Sequence, residues 1–180
     1  GEVMSKSKGN VIDPLGVAAE YGTDAVRMAL IAGNTPGRNS AISEDKIRGY
    51  RNFTTKLWNI ARFVSMNYEK PKKNFREIPR QLPRDSATST KDKRRVQELL
   101  KTNQKVTKHL ANFQFHRAAE TIYHYIWHTF ADKIIEGAKP RLQNEKEKAA
   151  ALEMLTTVMT ECLKMLHPFM PFVTEEIFQH

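Results

Sequence analysis

A single cysteine, Cys162, stands in a chain of 180 residues. One thiol excludes a disulfide framework and a four-cysteine zinc site. No apolar run approaches the roughly eighteen residues a membrane span needs. The opening Gly-Glu-Val-Met-Ser-Lys lacks the apolar core of a signal peptide. The expectation is therefore a reducing, cytoplasmic compartment. Strand-like runs of convincing length are missing too, as is any fixed-period repeat.

What the chain has in excess is positive charge: 29 Lys and Arg against 20 Asp and Glu, a formal net of +9. The excess is local. Residues 1–40 balance, and so do residues 96–180, while 41–68 carry +3 and 69–95 carry +6. A clustered excess suits a polyanionic partner. For 69–95 a solvated, lysine-biased linker is the better account, whereas for the helix before it the two readings balance.

The spacing of apolar residues predicts helices throughout. Pro14 opens a short helix that Gly22 stops near Tyr21. Thr23 or Asp24 can cap the next, with Val26, Ala29 and Leu30 inward, and Gly33–Gly37 is a turn. Ser43 caps a long helix to about Tyr68, with Ile47, Tyr50, Leu57, Ala61 and Val64 at three- and four-residue steps. Phe53 and Ile60 widen its stripe, and Trp58 is expected to be buried. From 69 to 90, Pro71, Pro79 and Pro83 break the pattern into a long basic loop.

Three more long helices follow in the sequence. One runs from Thr90–Asp92 to Leu110, with Leu99, Leu100 and Val106 inward. The next runs from Phe115 to about Gly137, before Pro140, and the last from Lys146 to Leu166. Pro171 then starts a final helix after His167-Pro168-Phe169-Met170. The fold expected is all-α: an antiparallel helical bundle preceded by a short helical connection.

Three groups of side chains have chemistry to offer. His124 and His128, four apart on a helix, have metal-chelating spacing but lack the glutamate of the zincin pattern, so no metal is assigned. Cys162 falls on an apolar face and is expected to be a buried small hydrophobe. Met4-Ser5-Lys6-Ser7-Lys8-Gly9-Asn10 combines ammonium groups, hydroxyls and a glycine that admits close backbone approach. Such a loop can hold phosphate oxygens, and it can equally be a basic surface loop. It is not a P-loop, whose Gly-x4-Gly-Lys order is absent.

That loop, continued by Val11-Ile12-Asp13-Pro14, resembles the KMSKS signature of the class I aminoacyl-tRNA synthetases. The following YGTDAVRMAL is similar to the leucine/isoleucine/valine subgroup. GYRNFTTKLWNIARFV at 49–64, NFQFHRAAETIYHYIWHTFADKIIEGAKPRL at 112–142 and MLHPFMPFVTEEIF at 165–178 resemble its valyl branch. The resemblance covers most of the chain apart from 69–95. It departs in one place: Val3 stands where the family's loop has its first lysine.

The resemblance implies a ligase that joins valine to its tRNA with ATP and Mg2+. Neither a HIGH-like signature nor an editing domain is present in this sequence. It implies that residues 1–40 are a signature loop and connection from the catalytic domain. Residues 41–180 would be the anticodon-binding bundle, and the segment alone would be inactive. Lys6 falls on the second signature lysine and would act catalytically on the ATP phosphates. Met4, Ser5, Ser7 and Asn10 would bind ATP beside it. Arg48, Arg51 and Arg62 would contact tRNA phosphates, and Phe63 would lie against an anticodon base; its packing into the core is the competing reading.

Overall fold

The structure is a computed structural model and describes residues 4–9, 11–35, 37, 42–67 and 90–179, with Lys6 by its backbone alone. Eight α-helices carry the fold: α1 (Pro14–Tyr21), α2 (Thr23–Ile31), α3 (Glu44–Met66), α4 (Thr90–Ala111), α5 (Phe115–His124), α6 (Glu136–Leu142), α7 (Glu145–Leu166) and α8 (Pro171–Gln179). A π-helical segment, Tyr125–Ile135, joins α5 to α6. No strand occurs among the described residues. The architecture is the expected antiparallel all-α bundle. The basic loop expected at 69–90 and the Tyr68 end of its helix lie outside the described residues, Thr90 excepted.

Local chemistry fixes the helix ends. The Asp13 carboxylate accepts from the amides of Leu15 at 3.1 Å and Gly16 at 3.0 Å, while Pro14 occupies the first turn. Gly22, with φ 91°, ends α1 and leads directly into α2. The expected cap by Thr23 or Asp24 is not made; Gly22 precedes α2 without a side-chain hydrogen bond.

Asp24 is buried and caps a different helix. It accepts from Val173 N–H at 2.7 Å and Phe172 N–H at 3.4 Å, at the start of α8. One turn on, Arg27 donates to the carbonyls of Phe169 and Pro168, both at 3.2 Å. Helix α2 thus clasps the turn before α8, satisfying amide and carbonyl groups that helix ends leave over. Its inward residues are Ala25, Met28 and Ala29; Leu30, expected inside, is 48% exposed.

Helix α3 starts where predicted, with the Ser43 hydroxyl accepting from Lys46 N–H at 3.2 Å. Ile47, Phe53, Leu57, Ile60, Ala61 and Val64 form its buried stripe. In α4, Leu99 and Val106 are buried but Leu100 is turned outward. The two helices that follow Asn112 depart most from expectation. Instead of an α-helix ending near Gly137, the chain stays helical to Leu142, with Pro140 inside α6. Pro140 removes the donor that would otherwise meet the carbonyl four residues earlier.

The π-helical segment follows from the placement of its apolar residues. Tyr125, Phe130 and Ile135 lie five apart, as do Ile126 and Ala131, and all five are buried. Five residues of α-helix turn through about 500°, leaving such residues about 140° apart. Bonding from i to i+5 widens the turn and brings them to one face.

Helix α7 is the axis of the core. From Ala151 to Leu166 nearly every residue is buried, and Leu155, Val158, Met159, Cys162 and Leu166 have no exposed surface. A helix apolar on most sides must be surrounded. The apolar residues that α3, α4, α5 and the π-helical segment bury belong to the same cluster, except Ile47, which packs with Tyr21, Ala25 and Ala29 in a smaller one.

Candidate nucleic-acid interface

The signature-like loop is compact. Lys6–Lys8 form a 3-10 turn, closed by Lys8 N–H donating to the Ser5 carbonyl at 3.0 Å. The hydroxyls of Ser5 and Ser7 are 2.7 Å apart. Gly9, at φ 63°, occupies a left-handed conformation that suits glycine. Met4, Ser7 and Lys8 are exposed and Ser5 is half-buried. Asn10 and Val3 lie outside the described residues, and of Lys6 only the backbone position is known. Three residues, Val11, Ile12 and Asp13, separate the loop from α1.

The outward face of α3 is the second feature. Arg48, Arg51 and Arg62 are all exposed on it. Arg51, Trp58 and Arg62 follow at seven- and four-residue steps and so form one stripe. Trp58, expected in the core, is 39% exposed there. Two of the arginines have local partners. Arg51 donates to the Glu20 carbonyl at 2.6 Å, tying α3 to the end of α1. Arg48 pairs with Asp45 at 3.2 Å; a hydrogen bond to Tyr21, then the charges of Tyr21 and Asp45, raise its pKa. Arg62 has no hydrogen-bond or ion-pair partner among the described residues.

Phe63 faces the opposite edge of this face. It is half-buried, packs against the core, and helps floor a groove of about 580 Å³ between α3 and the 131–139 stretch. Ile60, Ala131 and Ile135 complete the floor, and Asn52 and Asn59 stand on the α3 wall. The charges around it are matched. Lys56 reaches Asp132 at 3.2 Å and lies 3.9 Å over the Trp127 ring, and Lys139 meets Glu136 at 2.7 Å. Phe63 therefore has both characters at once: it belongs to the core's edge and it lines an open groove.

The remaining candidates sit apart from this surface. His124 and His128 stack at 5.6 Å, and His128 lies 3.7 Å from Asp132. No cluster of three metal-capable side chains occurs among the described residues. Cys162 is fully buried, and desolvation, with a smaller contribution from Glu161, pushes its thiol well above the usual range. No helix among the described residues is long and apolar enough to cross a membrane.

Sequence reading did not single out Asn52 and Asn59. Their signal was available: two carboxamides seven residues apart on the helix face that also carries the arginines. Asp24 and Arg27 gave no such signal, because their partners lie more than 140 residues away.

Comparison with known proteins bears on the two ends of the chain. Residues 1–43 match the family described as tRNA synthetases class I (I, L, M and V), and residues 92–180 match the anticodon-binding domain of tRNA ligase. The chain is therefore similar to class I synthetase sequence at its start and to an anticodon-binding domain in its second half. Valine–tRNA ligase of Syntrophotalea carbinolica is 44% identical over 99% of this chain. Those of Clostridium tetani and Thermotoga maritima are each 41% identical over 99% of it. The chain is thus similar over nearly its whole length to valine–tRNA ligases, and spans about 20% of the length of these relatives. Among solved structures, the LeuRS of Agrobacterium radiobacter K84, in a ternary complex with tRNA and LeuAMS, superposes with a TM-score of 0.74. It is 23% identical, and the match covers 99% of this chain and 20% of that one. That likeness establishes the fold.

Proposed function

We propose that this chain serves a cytoplasmic valine–tRNA ligase in two ways: its loop supports valine activation by ATP, and its bundle grips the anticodon arm of valine tRNA. In this reading residues 1–40 belong with the catalytic domain and 41–180 form the anticodon-binding unit, with 69–90 a basic loop. The observation that carries the proposal is the outward face of α3, where an arginine without a partner among the described residues adjoins a half-buried phenylalanine at an open groove. It lies on a chain whose relatives over 99% of its length are valine–tRNA ligases.

In the activation step the valine carboxylate attacks the α-phosphate of ATP and pyrophosphate leaves. Lys6 would supply positive charge to the departing phosphates, a purely electrostatic contribution. Met4, Ser5, Ser7 and Asn10 would line the triphosphate; the Ser5 and Ser7 hydroxyls and the flexible Gly9 backbone suit phosphate oxygens. Residues 4–9 hold no carboxylate, so Mg2+ would come with the triphosphate rather than be held here. The valine and adenine pockets lie outside this sequence in the proposal, and the chain alone is expected to show no valine-dependent pyrophosphate exchange.

In the bundle, Arg62 is the arginine best placed for a tRNA phosphate, because no partner among the described residues competes for it. A contact by Arg48 or Arg51 would share the guanidinium with Asp45 or with the Glu20 carbonyl. Phe63 would stack on an unpaired anticodon base.

The test is tRNA binding across a salt series. Arg62→Ala should lower the slope of log K against log[salt] by roughly 0.7–0.9 and weaken cognate and non-cognate tRNA alike. Phe63→Ala should lose anticodon preference with the slope intact, at a cost of about 1–3 kcal/mol. An early melt of the Phe63 variant with loss of all binding would make Phe63 a core residue only.

A further inference from the structure

Helix α1 is a short lever with the signature-like loop at its exposed end. It begins three residues after Asn10, and of its eight residues only the last, Tyr21, is buried. Leu15, in the first turn, is 82% exposed. Val17 reaches only the edge of the small cluster that Tyr21 forms with Ala25, Ala29 and Ile47. The direction of α1 is therefore fixed at its C-terminal end.

Helix α2, on the far side of that end, is held firmly. Asp24 and Arg27 clasp the turn before α8, and Met28 is wholly buried in the main core. Gly22 alone joins α1 to α2, at φ 91° and ψ 142°, with open space where a Cβ would stand. A glycine joint leaves the angle between two helices to the ties made from outside. Arg51 is such a tie. From α3 its guanidinium donates to the Glu20 carbonyl at 2.6 Å, in the last turn of α1. Helix ends leave their last carbonyls without intrahelical donors and carry partial negative charge, so a guanidinium there supplies both a bond and a charge match. Arg48, one turn earlier on α3, hydrogen-bonds the Tyr21 side chain. Two arginines on one face of α3 thus grip consecutive residues of α1.

Helix α1 is about 12 Å long, so a tilt of about 5° at Gly22 moves the loop by about 1 Å. A misplacement of that size can cost roughly 100-fold in rate. We infer that Arg51 is a positioning residue for valine activation: by holding the Glu20 carbonyl it sets the direction of α1, and with it the place of Lys6 at the ATP phosphates. The assignment rests on the loop's proposed role in activation, and gives Arg51 a task other than contact with a tRNA phosphate.

The test is valine-dependent ATP–pyrophosphate exchange by the full-length ligase, assayed without tRNA. Arg51→Ala should lower kcat by roughly 10- to 100-fold with KM for valine little changed, because the loss falls on the transition state. Arg51→Lys keeps a cationic donor for the helix end and should recover part of the rate. Asn144→Ala, which removes the cap of α7, is the stability control and should lower the melting temperature with exchange unchanged. Lys6→Ala and the Lys6→Ala/Arg51→Ala double variant complete a cycle. Acting through Lys6, the Arg51 substitution should slow exchange much less once Lys6 is gone, whereas a merely structural effect would multiply with that of Lys6. The salt slope of tRNA binding should be the same for Arg51→Ala as for the unmodified ligase. Normal exchange by Arg51→Ala beside a slow Lys6→Ala overturns the assignment and leaves the loop's role standing, and multiplying effects do the same. Normal exchange by Lys6→Ala overturns the loop's role and this assignment with it. A slope lowered by roughly 0.7–0.9 with normal exchange would make Arg51 a phosphate contact instead.

Discussion

The Arg141–Asp92 pair should show what a buried charge contributes to this bundle. Asp92 sits in the first turn of α4 with a side chain only 2% exposed. Arg141, near the end of α6, donates to both of its carboxylate oxygens at 2.9 Å, and Arg95 stands 3.6 Å away. Glu147, at the start of α7, adds a contact to Arg141 at 3.5 Å, so three helices meet at one guanidinium. Gly137 makes room nearby, since a Cβ there would lie 2.6 Å from the Arg95 guanidinium. Arg141→Met would leave the Asp92 carboxylate buried with the more distant Arg95. Breaking a buried pair on one side costs about 3–5 kcal/mol. Arg141 and Arg95 retain 18% exposure, so water reaches the pair and the lower end, about 3 kcal/mol, applies. In a chain of this size that lowers the melting temperature by about 6–12 °C. Asp92→Leu combined with Arg141→Met removes both charges and should recover most of the loss. Urea unfolding followed by circular dichroism measures each variant. A cost below about 1 kcal/mol for Arg141→Met, or a double variant no better than the single, would refute the argument.

In the full-length ligase, Lys6→Ala should slow valine activation by about 2.7–4 kcal/mol in transition-state stabilisation while leaving tRNA affinity unchanged, read by pre-steady-state ATP–pyrophosphate exchange and filter binding. Cys162 should resist thiol reagents until the chain unfolds. Because its folded pKa is raised above the ordinary thiol value of 9.0, its stabilising contribution is complete below about pH 9 and declines above it. The decline approaches about 1.4 kcal/mol per pH unit, and a well-packed Cys162→Ala variant should flatten it. Tyr125, also raised by desolvation, should leave a second decline beginning near the ordinary phenol value of 10.0. Asp24→Ala should destabilise the chain by about 1–2 kcal/mol in thermal melts, as loss of a helix cap does, although no local sequence pattern marks Asp24 as the cap of α8.

The helices were legible because their apolar residues repeat at helical spacing and their ends carry local chemistry. Ser43, expected as a cap, caps the helix that follows it directly; Asp13 and Asn144, not singled out from the sequence, do the same for theirs. Legibility ended where the partner was distant or the period changed. Asp24 has the right side chain for a local cap, but burial brings it to the amides of Phe172 and Val173. Leu30, Trp58 and Leu100 read as core because they are large and apolar, yet each adjoins a stripe that smaller or better-aligned neighbours fill. The π-helical segment was invisible to a search at 3.6 residues per turn, since Tyr125, Phe130 and Ile135 align only when the turn is wider.

The candidate site was legible in a different measure, because counting charge does not count available charge. The +3 of residues 41–68 pointed to α3, and α3 does present its arginines outward. But Arg48 and Arg51 hold the end of α1, and Lys56 is engaged with Asp132 and Trp127. Arg62 has no partner among the described residues, and two carboxamides that contribute nothing to net charge line the groove beside it. A phosphate is attracted by the sum of charges at long range, whereas a base is held by whichever donors and acceptors the fold has not already used. Net charge therefore points to a surface, whereas the groups still able to bond a ligand there can be read only from the folded chain.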